Sequence, residues 1–133
     1  MVKLRSLLIL AAVATMGTAC SSAMQGSAAG TYIDPAEAAQ TVVLEVDNVN
    51  PQPLELRVIM NGQSRFVGSV GGLDSTSILL DPQLFPTGVL YVAAIPADGR
   101  GRALVGPLSA SKGDKIRFSV QSALDMSRAI VVR

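Results

Sequence analysis

Short runs of alternating apolar and polar residues, each ended by turn-forming residues, fill the chain from Thr41 onward. Side chains of an extended strand point alternately to its two faces, so this alternation is typical of a strand with one face in a core. The runs are 41–48, 54–61, 64–70, 75–80, 89–95, 102–108, 115–121 and 129–133. No segment between them is long enough for a helix of more than two turns. The sequence therefore predicts an all-β fold, an antiparallel β-sandwich of about seven or eight short strands.

Turn signals separate the runs. Asn61-Gly62 is the strongest of them, because both positions of a type I′ hairpin turn take positive φ. Asp81-Pro82 predicts a single helical turn that ends at Phe85-Pro86. Four aspartates lie in the turns, where a carboxylate commonly accepts backbone N–H groups. We expect this capping role, rather than a catalytic or metal-binding one, for Asp74, Asp81, Asp98 and Asp114.

The alternation also predicts which side chains face the core. In the second run Leu54, Leu56, Val58 and Met60 share one face, and in the seventh run Ile116, Phe118 and Val120 do so. The positions of the five aromatic residues bear on carbohydrate binding, because sugar-binding modules stack sugar rings on exposed aromatic rings. By position, Phe66, Phe118 and Tyr91 are expected in the core. That leaves Tyr32 and Phe85 as candidates for the surface.

The first nineteen residues have the pattern of an export signal. Lys3 and Arg5 are followed by an apolar stretch at 7–16 and by the small residues 17–19, directly before the single cysteine, Cys20. The apolar stretch is shorter than the roughly 20 residues of a membrane-spanning helix. This segment resembles a bacterial lipoprotein signal peptide. The resemblance implies cleavage before Cys20 and a lipid on its thiol; a free reactive thiol and a small buried side chain are the alternatives.

These features divide the chain into three parts. Residues 1–19 are predicted to be the lipoprotein signal peptide, and 20–40 the lipidated amino terminus with a flexible tether. Within the tether, Asp34 followed by Pro35 has the form of a helix start, which predicts either one or two helical turns or an ordered linker. Residues 41–133 are predicted to form the sandwich domain.

A second resemblance covers residues 41–121. The strand ending in Asp47-Asn48, the hairpin MNGQSRFVGSV and the late segment SKGDKIRFSV are similar to small bacterial envelope lipoproteins with an immunoglobulin-like sandwich. This resemblance implies an accessory role and carries over no catalytic residue. Family behaviour also makes Ser21 relevant, because an aspartate after the lipidated cysteine retains such proteins in the inner membrane and serine does not. The expected location is the bacterial cell envelope, at the outer membrane facing the periplasm.

Composition excludes several functions. The chain has no histidine, so Ser-His-Asp and Cys-His catalysis and histidine-bearing zinc or copper sites are absent. Loss of Lys3 and Arg5 with the signal leaves nine basic residues against ten acidic ones, a balance that does not attract nucleic acid. The string from Ser109 to Lys112 resembles the S-x-x-K start of penicillin-binding active sites, but its companion motifs are missing. We predict no enzyme activity, no cofactor and no metal site.

The sequence therefore predicts a membrane-anchored envelope lipoprotein that acts as a structural or protein-interaction module. Its partners are expected to be the membrane, through the lipid on Cys20, and an envelope protein. The run from Ala129 to Arg133 is the edge strand that we expect to bind such a protein. The alternative is a periplasmic module that binds cell-wall glycan or a small ligand. Exposed aromatic rings or converging polar groups in a concavity on one sheet face would favour that alternative.

Overall fold

Eight β-strands, one helical turn and two 3₁₀ turns make up most of residues 32–133, the part of the chain that the computed structural model describes. The strands are β1 (Val42–Asn48), β2 (Leu54–Met60), β3 (Gln63–Val70), β4 (Ser75–Leu80), β5 (Val89–Pro96), β6 (Ala103–Ser109), β7 (Lys115–Val120) and β8 (Arg128–Val132). The helical turn α1 is Pro35–Ala38, and the 3₁₀ turns are Pro82–Leu84 and Leu124–Met126. Each of the eight predicted runs forms a strand.

The strands form two four-stranded sheets. Sheet 1 has the order β4-β1-β7-β8, and sheet 2 has the order β3-β2-β5-β6. Every pair is antiparallel except β1 with β7, which run parallel. The prediction of an all-β, antiparallel-dominated sandwich is confirmed. The parallel pair joins strands that are far apart in the chain, and local alternation carries no information on their relative direction.

The core lies between the inner faces of the two sheets. Its side chains alternate with outward ones along β1, β2, β5 and β7, as the period-2 pattern predicts. The largest fully buried members are Phe118, Leu44, Leu54, Leu56, Leu80, Leu90, Ile116, Val42, Val46, Val58, Val92 and Val120. Since aliphatic burial contributes about 25 cal/mol per Å² of apolar area removed from water, this interior is the main stabilising term of the fold.

The local turn predictions are confirmed as well. Asn61 and Gly62 have φ of 48° and 74°, as a type I′ turn between β2 and β3 requires. The helical turn α1 forms: the Asp34 carboxylate accepts the backbone N–H of Ala36 at 2.8 Å, and Pro35 occupies the first helical position. Of the two alternatives left open by the sequence, a short helical turn and an ordered linker, the structure has the helical turn.

Candidate functional site

The predicted lipid-attachment residue, Cys20, lies outside the described residues, as does the signal segment 1–19. Within residues 32–133, no helix has the length and apolar character needed to cross a membrane. The same range contains no group of three or more potential metal-ligating side chains.

The four turn aspartates have the capping role that the sequence predicts. Each carboxylate accepts a backbone N–H from a residue one to three positions away, at 2.8 or 2.9 Å: Asp74 from Ser75, Asp81 from Gln83, Asp98 from Arg100, and Asp114 from Ser111. The backbone N–H of Arg100 and the side-chain amide of Gln52 lower the pKa of Asp98. These carboxylates are therefore occupied in holding turns.

The S-x-x-K string lies where β6 gives way to the turn before β7. Ser109 is the last residue of β6, and Ser111 donates its backbone N–H to Asp114 in the turn. The side chains of Ser109, Ser111 and Lys112 are exposed. The string thus lies in an exposed turn, as the sequence indicates, and not at the start of a buried helix.

Three charged side chains cluster on the outer face of sheet 1. Glu45 on β1 lies 2.7 Å from the Lys115 ammonium and 3.2 Å from the Arg117 guanidinium, both on β7. The parallel register of β1 and β7 causes this arrangement. Glu45 is directly opposite Arg117, and Lys115, two residues earlier on β7, lies on the same face. Hydrogen bonding to Lys115 lowers the pKa of Glu45; burial partly opposes the shift and Arg117 adds to it. The alternation in the first and seventh runs puts Glu45 and Arg117 on the faces opposite the core residues, but it does not show that these two strands pair.

A concavity adjoins this cluster. Its volume is about 360 Å³, and the polar residues that line it are Glu45, Asp47, Ser75, Thr76, Ser77, Arg117 and Ser119. Ser75 and Ser119 flank Asp47 in register from the two neighbouring strands. A second concavity of about 290 Å³ begins at Ser119 and is also lined by Gln121, Met126 and Arg128. Converging polar groups in a concavity on one sheet face are one of the two features that would favour the glycan-binding or small-ligand alternative.

The aromatic residues correct the sequence prediction in three places. Phe66 is 60% exposed and Tyr91 is 37% exposed, although both are predicted in the core, while Phe85 is 2% exposed and belongs to the core cluster. Tyr32 is exposed and Phe118 is buried, as predicted. The outer face of sheet 2 therefore carries two aromatic rings that the alternation does not reveal.

A β-bulge explains the orientation of Phe66. The register between β2 and β3 shifts between Leu56 and Arg57, so that Gly68 pairs with Leu56 but Phe66 pairs with Arg57. One extra residue reverses the phase of side chains along a strand. Phe66 consequently points outward beside Arg57. In an unbroken strand it would share the inner face with the buried Val70, because an even number of positions separates the two.

Tyr91 and Phe85 owe their positions to the arrangement of strands. Tyr91 pairs with the outward Ile59, and its ring lies over Gly106, where an added Cβ would come within 2.5 Å of the ring. Phe85 ends the 3₁₀ turn that crosses from β4 in sheet 1 to β5 in sheet 2. From this crossing Phe85 packs into the core cluster between the sheets.

The edge strands differ in how they are protected from pairing. In sheet 2, β3 contains the bulge and places Arg65 opposite the buried Val58, while β6 contains Pro107 and a register shift. Bulges, prolines and inward-facing charges block strand addition. In sheet 1, β4 and β8 pair in unbroken register, and neither contains proline. Two of the four edge strands in residues 32–133, β4 and β8, therefore have no bulge, proline or inward-facing charge.

Of these two edges, β8 is the more apolar. Its sequence is RAIVV, it pairs with β7 alone among the described strands, and its central Ile130 is 58% exposed on the outer face. Both sides of the sandwich are closed at these edges: Ile78 of β4 packs against Gly68 of β3, and β8 lies against β6 of sheet 2. The predicted edge position of the run from Ala129 is thus confirmed, with the strand beginning at Arg128.

No protein-family model matches this chain, and no curated protein matches it. The solved structures that are similar to this chain in fold include the following two. The C-terminal domain of AlgF from P. aeruginosa is 16% identical with a TM-score of 0.49, and the match covers 70% of this chain and 97% of that one. A protein from Eubacterium rectale is 14% identical with a TM-score of 0.43, and the match covers 77% of this chain and 96% of that one.

Proposed function

We propose that this chain is a lipid-anchored protein of the bacterial cell envelope whose β-sandwich is a protein-interaction module. Cys20 carries the lipid, Ser21 directs the protein to the outer membrane facing the periplasm, and the domain binds an envelope protein through an added β-strand. The observation that supports this interaction is a difference between the edges. The apolar edge β8 has no bulge, proline or inward-facing charge, whereas the edges of sheet 2 carry a bulge, a proline or an inward-facing arginine. Main-chain hydrogen bonds along such an edge provide affinity for an extended partner segment.

A charge in the middle of β8 tests this docking edge. Because Ile130 is largely exposed on the outer face, Ile130→Lys keeps the core intact while placing a charge on the edge strand, next to the side chain that a partner strand would set beside it. The matched control is Val89→Lys, which adds the same charge to an exposed position on the outer face of sheet 2.

The measurement is chemical cross-linking of the full chain in the membranes of producing cells, followed by identification of the linked proteins. We expect the wild type and Val89→Lys to yield the same linked partner and Ile130→Lys to lose it, with all three melting at similar temperatures. Retention of the partner by Ile130→Lys would refute β8 as the docking edge.

Glycan binding is the second candidate, and the exposure of Phe66 and Tyr91 on one face of sheet 2 favours it. Exposed rings on a sheet face stack against sugar rings. The test is co-sedimentation with insoluble cell-wall glycan, comparing the wild type with Phe66→Ala and Tyr91→Ala. The control is Leu104→Ala, an exposed aliphatic residue of the same face. Loss of binding in the two aromatic variants alone would support glycan recognition, and equal sedimentation of all four proteins would exclude it for this face.

A further inference from the structure

We infer that the outer face of sheet 2 lies against the lipid surface in which the protein is anchored. This inference rests on the proposed lipid at Cys20, and it adds the orientation of the domain. Sheet 2 faces the membrane, while the outer face of sheet 1 and the β8 edge stay open to an envelope protein.

An apolar patch on the outer face of sheet 2 carries this inference. All four strands of the sheet contribute to it, and its members are Ile59, Phe66, Val89, Tyr91 and Leu104. Tyr91 is in register with Ile59, and Leu104 pairs with Ala93, the next outward position after Tyr91. Four of the five side chains are largely exposed. A contiguous exposed apolar patch marks a surface that contacts a membrane or another molecule.

The outer face of sheet 1 has the opposite character. Its outward side chains form two rows in register across β4, β1 and β7: Ser75, Asp47 and Ser119 in one row, and Ser77, Glu45 and Arg117 in the other. Hydroxyl and charged groups lose hydration at a lipid surface, whereas apolar groups gain from it. Of the two outer faces, that of sheet 2 is therefore the one suited to lipid.

Backbone hydrogen bonds show that the chain enters the sandwich at the same end as the patch. The carbonyl of Thr41, the residue before β1, accepts the N–H of Gly113 at 2.8 Å. Ala110, in the same connection between β6 and β7, donates its N–H to the carbonyl of Gly88, also at 2.8 Å. Gly88 directly precedes β5, whose first residue is Val89 of the apolar patch. The amino-terminal segment therefore reaches the sandwich where the patch begins.

The length of that segment keeps the patch close to the lipid. Tyr32 is twelve positions after Cys20, so the connection spans at most about 40 Å. The longest strands have eight residues, which corresponds to about 27 Å. A tether of this length holds the patch end of the domain nearest the anchor. The high local concentration of lipid lets a modest apolar contact persist.

The chemistry of the patch favours lipid over sugar. Three of its five side chains are aliphatic, and these gain from acyl chains but do not stack on sugar rings. Tyrosine, as at position 91, is typical of the boundary between acyl chains and headgroups. Arg57 lies beside Phe66 within the patch, and its Nε is 2.5 Å from Glu55, so that the nearby carboxylate is paired.

Tryptophan fluorescence tests the contact, because the chain has no tryptophan of its own. Full-length lipidated Phe66→Trp and Tyr91→Trp are purified from producing cells and reconstituted in phosphatidylcholine vesicles, with or without bromine atoms on the acyl chains. Bromine quenches tryptophan only at short range. We expect each variant to lose at least about half of its emission in brominated vesicles, because an interfacial side chain lies about 5–10 Å deep at the acyl boundary.

The matched control is Ile130→Trp, on the outer face of sheet 1. Ile130 is 58% exposed against 60% for Phe66, so the two reporters start from equal access to solvent. Ile130→Trp should lose less than about a tenth of its emission, because the whole sandwich separates it from the lipid.

A charge in the patch gives a second test. Leu104→Glu in the Phe66→Trp chain should reduce the quenching at least about threefold, because a carboxylate is costly at the acyl boundary. Val49→Glu in the same chain is the control and should leave the quenching unchanged. Val49 is 42% exposed against 44% for Leu104, and it follows β1 at the opposite end of the sandwich. Thermal melting checks that all variants are folded.

Flotation of the vesicles separates this inference from the proposed function. Protein that does not float with them would overturn the lipid anchor and this inference together. Protein that floats but is quenched equally at positions 66 and 130 would overturn the inference and leave the anchor in place. Floating, unquenched Phe66→Trp that sediments with cell-wall glycan would assign this face to glycan instead. The β8 edge is decided separately by the cross-linking of Ile130→Lys.

Discussion

The side-chain nitrogen of Asn48 donates a hydrogen bond to the carbonyl oxygen of Gly71, 2.8 Å away, and so joins the end of β1 to the turn between β3 and β4. Asn48 is buried, and the same nitrogen donates to the carbonyl of Gln52 while its Oδ1 accepts the backbone N–H of Asn50. One amide therefore satisfies three backbone groups from two connections that link the sheets.

Asn48→Ala should destabilise the fold by about 2–4 kcal/mol, because it leaves two carbonyls and one N–H without their partner in a buried site. Thermal or urea unfolding of the folded domain measures this change. Asn48→Asp keeps the acceptor but places a carboxylate against two carbonyls, and we expect it to be at least as harmful. Gln63→Ala, an exposed change at the start of β3, is the control and should lie within about 0.5 kcal/mol of the wild type. An unchanged midpoint for Asn48→Ala would contradict the network.

Gly62→Val should cost of the order of 1–3 kcal/mol, because it forces a β-branched residue to a φ near 74°. A Cβ at this position meets no atom within 4 Å, so the cost is conformational and not steric crowding by the rest of the fold. The comparison Asn61→Gly, at the other position of the turn, should be close to neutral. Equal midpoints for Gly62→Val and the wild type would mean that the turn has another conformation in solution.

The ion pairs of Glu45 should make stability depend on pH. Since folding lowers its pKa, the stabilisation is present above the unfolded value near 4.5 and is lost as the pH falls through the lower folded pKa. The groups are partly exposed, so we expect at most about 1 kcal/mol near neutral pH. Glu45→Gln should show this deficit at neutral pH, and the deficit should shrink at acid pH and at high salt.

The control for that measurement is Glu37→Gln, which removes a carboxylate that forms no ion pair among residues 32–133. A deficit of Glu45→Gln that stays constant from neutral to acid pH would show that the ion pairs do not stabilise the sheet.

Cys20→Ala should release the protein from the membrane fraction or leave an uncleaved precursor, because it removes the thiol that would carry the lipid. Each buried CH₂ of an acyl chain contributes about 0.8 kcal/mol, and stable anchoring takes two chains or more. Metabolic labelling with a fatty acid checks this directly. Labelling of Cys20→Ala as strong as that of the wild type would refute lipid attachment at Cys20.

We predict that the protein has no hydrolase activity on peptide, ester or glycan substrates, and that changing Ser109, Ser111 and Lys112 together to alanine leaves its cellular role intact. The three side chains are exposed, and the turn is held through the backbone N–H of Ser111, which alanine retains. The check is a substrate panel and complementation of a deletion strain. An activity that the triple variant lacks would make this turn catalytic.

The sequence by itself determined the elements of this fold. Alternation located all eight strands, and Asn61-Gly62 predicted a hairpin whose two central residues have positive φ. The turn aspartates were predictable for the same reason: each accepts an N–H from a residue at most three positions away. Period-2 burial, turn conformation and capping are local properties, and local sequence specifies them.

Only the tertiary structure decided which side chains and strand edges lie on the surface. A register shift against β2 turned Phe66 outward, and the crossing between sheets buried Phe85. The cluster of Glu45 with Lys115 and Arg117 exists because β1 pairs with a strand about seventy residues away in the chain. Likewise, β8 is identified as an unprotected edge only once its single neighbour is known. These features depend on which strands pair, in which direction and in which register, and that choice is made by packing the whole core.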